Sequence, residues 1–242
     1  MNSQADMNAA IWKAEDVGER WTAEAAGHER KRASQWLFMA QLLPFGPDEE
    51  FTFLDLGAGT GAASRPILAE YRRSSGILAD FSPQMMGLGE QDLEPFAGRF
   101  RYVQFDMQAG GWPDAIPATL DAVVTSLSIH HMPDDRKRGL FREIFDHLRG
   151  GGWYLNYDPV TSADPIVAAA WQRAGDRQDP ERPAKRVNRT ADDQARHDNH
   201  VRYIIPLAQQ LDYLRSAGFE GIDVYWKQLD EVIYGGCRPS SP

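Results

Sequence analysis

The sequence predicts an α/β fold: a doubly wound sheet of seven strands, the last antiparallel to the rest. Three observations lead there. Apolar strand segments alternate with helical ones between residues 51 and 158, the pattern of a parallel sheet with helices on both faces. A glycine-rich turn, 57–61, follows the first strand at once. The two closing strands, 221–227 and 231–236, are joined by Gln228, Leu229 and Asp230 alone, too short for a parallel crossover, so they pair as a hairpin.

Each element has its own signal. Residues 8–43 read as helical, with Trp12, Trp21, Trp36, Leu37, Ala40 and Leu43 as anchors, and 44–50 as a breaker-rich turn. A short apolar strand covers 51–56, and a helix follows over 66–73 with Pro66 in its first turn. The next strand is 76–81. Ser82 then suits an N-cap and Pro83 a first helical position for a helix over 82–93. Residues 99–106 alternate like a strand, and 120–128 form the near-continuous apolar run of a strand covered on both faces. Leu140, Phe141, Ile144, Phe145 and Leu148 share one helical face, which Gly150 to Gly152 are expected to end. Strand 153–158, a long insertion and a helix at 206–218 complete the order. The organisation expected is one domain over 1–242: an N-terminal helical cap (1–45), a core (46–158), a cap insertion (159–205) and a C-terminal helix with the hairpin (206–242).

Composition narrows the function. The chain has 242 residues, 42% of them hydrophobic, enough for one sizeable core. A net charge of -9 argues against general nucleic-acid binding, which needs clustered Lys and Arg. No apolar run approaches the roughly 20 residues of a membrane span. The first residues lack a signal-peptide pattern and Cys237 is the lone cysteine, so a cytoplasmic protein without disulfides is expected.

The glycine turn carries the chemistry. Residues 57–62 formally fit a dinucleotide fingerprint, with Ala62 in the last place. Asp55, two residues before the first glycine, weighs against it, because a carboxylate repels a pyrophosphate and attracts a cationic ligand. The string LDLGAGTG (54–61) resembles the first motif of class I S-adenosylmethionine-dependent methyltransferases, and the resemblance continues through ILADFSPQMM (77–86), QFDM (104–107), AVVTSLSIHHMPD (122–134) and LRGGGWYL (148–155). It implies a Rossmann-like sheet with S-adenosyl-L-methionine across the carboxyl ends of its strands. Asp55, Gly57, Ala58, Gly59 and Gly61 would hold the methionine end, with Ser126 near it. Asp80 would take the ribose hydroxyls. Phe81 and Met85 would wall the adenine, a role weighed evenly against plain packing, and Asp106, beside Met107, would accept the adenine amino group.

The activity implied is methyl transfer to a small-molecule acceptor through oxygen, nitrogen or carbon. His131 is the candidate general base, set against a structural or substrate-lining role for both His130 and His131. The spacing in HHMPDD (130–135) matches no standard metal site, so no metal is expected. In the insertion, Arg196, His197, His200, Arg202 and Tyr203 read as a solvated polar loop or as contacts to an anionic or hydroxylated substrate. Two other functions stay open: a carboxy-S-adenosylmethionine synthase or tRNA-modifying relative, and a non-catalytic cofactor-binding regulator.

Overall fold

The computed structural model describes residues 31–240; Trp12, Trp21 and the rest of segment 1–30 lie outside the described residues. The described chain opens in a helix, α1 (31–41). Trp36, Met39 and Ala40 are buried on its inner side and Leu43 just past its end, whereas Leu37, expected as an anchor, faces solvent. Strand β1 (Phe51–Leu56) leads through the glycine turn into α2 (Ser64–Glu70), β2 (Ser74–Asp80) and α3 (Pro83–Asp92). Ser82 caps α3, its hydroxyl accepting from the Met85 N–H, with Pro83 in the first position. Strands β3 (Phe100–Gln104) and β4 (Leu120–Ser126) precede α4 (Asp134–His147) and β5 (Leu148–Pro159).

Gly150 to Gly152 do not end α4. Leu148 already takes extended dihedrals, and the glycines lie inside β5. There the register against β4 shifts between Leu120 and Ala122, and Gly152 comes so near the Asp121 carbonyl that a Cβ would sit 3.1 Å from it. The glycines serve a strand irregularity, where close backbone approach favours them.

The insertion folds into α5 (Pro165–Gln178), α6 (Arg182–Val187) and α7 (Ala191–Val201). The run from Arg196 to His200, read as a loop, is therefore helical, and a capping box between Thr190 and Asp193 starts α7. Helix α8 (Leu207–Ala217) then ends at Gly218 in the left-handed region, before β6 (Glu220–Gln228) and β7 (Glu231–Cys237).

The sheet order is β3-β2-β1-β4-β5-β7-β6. Strands β1 to β5 are mutually parallel; β7 runs antiparallel to β6, as the short turn requires, and also antiparallel to β5. Side chains alternate between two cores. On one face Val123, Tyr154 and Tyr234 meet Leu140, Phe141, Ile144 and Leu214 of α4 and α8. On the other, Phe53, Val124 and Leu155 meet Trp36 and Met39 of α1 and Ile67 and Leu68 of α2. The order reverses between β1 and β4, so a crevice opens beyond their carboxyl ends.

No described helix is long and apolar enough to cross a membrane.

Candidate functional site

A cleft of about 1100 Å³, counting space open to solvent, occupies that crevice. Its floor is the glycine turn. The N–H groups of Gly57 and Ala58 donate to the Ala79 carbonyl at 2.8 and 3.1 Å, tying the turn to β2. Gly57 has φ +71, and a Cβ there would meet Ser128 Oγ at 2.0 Å, so both backbone conformation and space demand glycine. Gly61, with φ +77, closes the turn by donating to the Ala58 carbonyl at 2.8 Å. It lies behind the cleft: a Cβ on it would strike Leu93 Cδ1 at 2.5 Å. The other residues assigned to the cofactor (Asp55, Gly57, Ala58, Gly59, Asp80, Phe81, Met85, Asp106, Met107 and Ser126) all line the cleft.

The acids sit where three successive strands stop, because a strand's carboxyl end is where backbone pairing gives way to a loop. Asp55, on β1, is buried, and only Oδ2 is engaged, by the Ser64 hydroxyl at 2.6 Å. Its Oδ1 is buried without a partner. Burial raises its pKa to about 7; Ser64 pulls it down and the Asp80 carboxylate pushes it up further. Asp80, at the end of β2, accepts from the Gly59 N–H at 2.8 Å through Oδ2 and from the Ser82 N–H at 2.9 Å through Oδ1. Burial raises its pKa too, against those two donors. Each oxygen of such a carboxylate keeps a further lone pair for a ligand. Asp106, just past β3, is half-buried and accepts from the Gln108 N–H at 3.0 Å.

The opposite wall follows β4. Ser126 Oγ accepts from the Trp36 indole at 2.7 Å, so α1 is pinned over the cleft. Leu127 has φ +54, a costly conformation for a branched side chain, and lines the cleft. A 3-10 turn, Ile129–His131, then presents two imidazoles side by side, with ring centroids 3.9 Å apart. His131 lines the cleft, while His130 sits behind it, its Nδ1 2.6 Å from Asp158 Oδ1 at the end of β5. Burial, then the neighbouring His130, His200 and Lys137, push the His131 pKa down to about 2. It stays neutral, with little power to keep a proton. Helix α7 brings a third imidazole, His200, with ring centroids 4.9 Å from His130 and 5.4 Å from His131.

Sequence reasoning missed Thr60, Ser82, Gln108, Ser128 and Met132, which also line the cleft, and Ser64 and Asp158 behind it. Asp158 had a signal: it ends a strand, like the three acids that were singled out. His200 had none, because nothing local places α7 beside the turn at 129–131.

Residues 53–152 match the methyltransferase domain family. No curated protein matches the chain. Among solved structures, an O-methyltransferase family protein from Burkholderia thailandensis aligns with TM-score 0.63 and 15% identity over 96% of this chain and 64% of its own. Human N-acetylserotonin methyltransferase in complex with SAM aligns with TM-score 0.64 and 16% identity, over 96% of this chain and 58% of its own. An O-methyltransferase family 2 protein from Planctomyces limnophilus in complex with apigenin gives TM-score 0.66 and 17% identity, over 93% and 61%. The chain spans less than two thirds of the length of these proteins and shares the class I methyltransferase fold with them.

Proposed function

From a methyltransferase domain over residues 53–152, we propose that the chain binds S-adenosyl-L-methionine and transfers its methyl group to a small-molecule acceptor. The observation that carries this reading is Asp55 Oδ1, a carboxylate oxygen buried beside the glycine turn without a partner. An unsatisfied buried acceptor is costly, and the ammonium group of the cofactor is a donor that removes the cost. A dinucleotide would bring a pyrophosphate to the same place and meet repulsion from Asp55.

The cofactor supplies a methyl carbon already activated by its sulfonium, so the chain's own residues bind, orient and exclude water. Asp55 and the turn from Gly57 to Gly59 hold the amino-acid end, with Ser126 near it. Asp80 takes the ribose hydroxyls; Asp106, with Phe81, Met85 and Met107, takes the adenine. His131, neutral and facing the cleft, accepts a hydrogen bond from the acceptor's nucleophile and orients it. Segments 31–45 and 159–205 act as the cap, and Trp36 is a contact of the first with the cleft. The lone cysteine and acidic charge fit a cytoplasmic enzyme acting on small molecules rather than nucleic acid.

Incubation with methyl-labelled cofactor and a panel of phenols, amines and carbon acids tests the reading by mass spectrometry. Labelled methyl on any acceptor, with S-adenosylhomocysteine released in equal amount, is the expected result. Cofactor binding with no transfer to any class of nucleophile would favour a binding-only regulator.

A further inference from the structure

We propose that His130, His131 and His200 form a binding site for one divalent transition-metal ion of the zinc class, at the edge of the cleft. Each imidazole offers one nitrogen, and the three nitrogens lie within 4.8 Å of one another. Three ligands on tetrahedral zinc sit about 3.3 Å apart, given bonds of about 2.0–2.1 Å. The rings therefore close in by an ångström or so, which His200, the most exposed of the three, does by side-chain rotation.

The surroundings favour a ligand role over packing. His130 is buried, and its Nε2 has no partner, whereas its Nδ1 is held by Asp158 at 2.6 Å. A carboxylate on one ring nitrogen fixes the tautomer that leaves the other free for a metal, the second-sphere arrangement of histidine zinc sites. Asp158 Oδ2 is also buried and unpartnered, so this carboxylate is set against the ring rather than neutralised by a cation of the chain. The nearby Lys137 ammonium is turned elsewhere, to the Tyr203 carbonyl and to Asp134 at 3.7 Å. Two ligands come from one 3-10 turn and the third from α7, so a bound ion fastens the cap insertion to the core. His131 also lines the cleft, and three protein ligands leave a fourth position for water or an oxygen donor. On the methyl-transfer reading, the bound ion takes over from the His131 lone pair the task of orienting the acceptor, and a hydroxyl bound there loses its proton to water more readily, which favours phenol or enol acceptors.

The test is calorimetric titration of the full chain with Zn²⁺, without cofactor, supported by the visible absorption of Co²⁺ in the same site. Wild type is expected to take one ion per chain, with the strong absorption of tetrahedral cobalt. His200→Ala should bind at least about 100-fold more weakly and Asp158→Asn about 10–100-fold. His147→Ala, which alters a histidine stacked on Trp112, should match wild type. Circular dichroism separates misfolded variants from ligand loss. No stoichiometric binding by folded wild type, or equal losses in His200→Ala and His147→Ala, would overturn the site. S-adenosylhomocysteine titrated separately keeps this failure distinct from failure of the methyltransferase reading.

Discussion

Two sets of polar groups are buried equally deep in the same sheet and meet different ends. Between β4, β5, β7 and α8, the Thr125 hydroxyl donates to Asn156 at 2.6 Å, Asn156 to the Tyr234 oxygen at 2.8 Å, and Tyr234 to Gln210 at 2.6 Å. No buried side-chain atom of that chain lacks a partner. At the carboxyl ends of the strands, by contrast, Asp55, Thr60, His130 and Asp158 each leave one buried atom unsatisfied. The first set serves the fold and is complete without help. The second is incomplete in the protein alone, and that is where a ligand has something to supply.

The largest effect expected is from Gly57→Ala, which forces a left-handed alanine into the Ser128 hydroxyl. S-adenosylhomocysteine affinity should fall by about 100-fold or more, about 3 kcal/mol, in calorimetry. Unchanged affinity would mean that the turn is not part of the ligand site. Asp80→Ala should weaken binding about tenfold or more, since a charge-assisted hydrogen bond contributes about 1.5–3 kcal/mol.

Tyr234→Phe sharpens the contrast from the other side. Removing its hydroxyl leaves Asn156 and Gln210 unsatisfied, and urea unfolding should show a loss of about 1–3 kcal/mol while ligand affinity holds. A Tyr234→Phe protein that keeps its stability but loses affinity would erase the distinction between the two sets.

The smallest effect concerns pH. The folded pKa of Asp55, about 7, lies above its unfolded value of 3.8, so the native state holds a proton that the unfolded chain releases. This contribution to stability is complete below about pH 4 and lost as pH rises through 7. Relative to Asp55→Asn, wild type should lose urea resistance between pH 5 and 7.5. Binding to an ammonium runs the other way and should tighten as pH rises through 7, with proton release visible in buffers of different ionisation enthalpy. Parallel pH profiles for the two proteins would show that Asp55 is not the titrating group.

Legibility in the sequence follows the same division. The run of strands and helices and the closing hairpin were readable because alternation and the three-residue connection 228–230 are local facts. The acids were readable because a strand end is defined by its own neighbours. Leu37 was misjudged because helical spacing alone does not say which way α1 turns, and the end of α4 because Leu148 leaves the helix before the glycines arrive. Asn156 and Tyr234 looked like ordinary strand residues, since their pairing depends on β7 returning between β5 and β6. His200 depended on a helix that no nearby residue positions.

The most direct test of the central idea, that the orphaned acid beside the glycine turn awaits a cationic cofactor, is calorimetric titration of wild type and Asp55→Asn with S-adenosylhomocysteine at pH 8. One micromolar site per wild-type chain, weakened about tenfold or more in an Asp55→Asn protein that is no less stable, is the result the account predicts. No binding by folded wild type, or equal binding by both proteins, would contradict it.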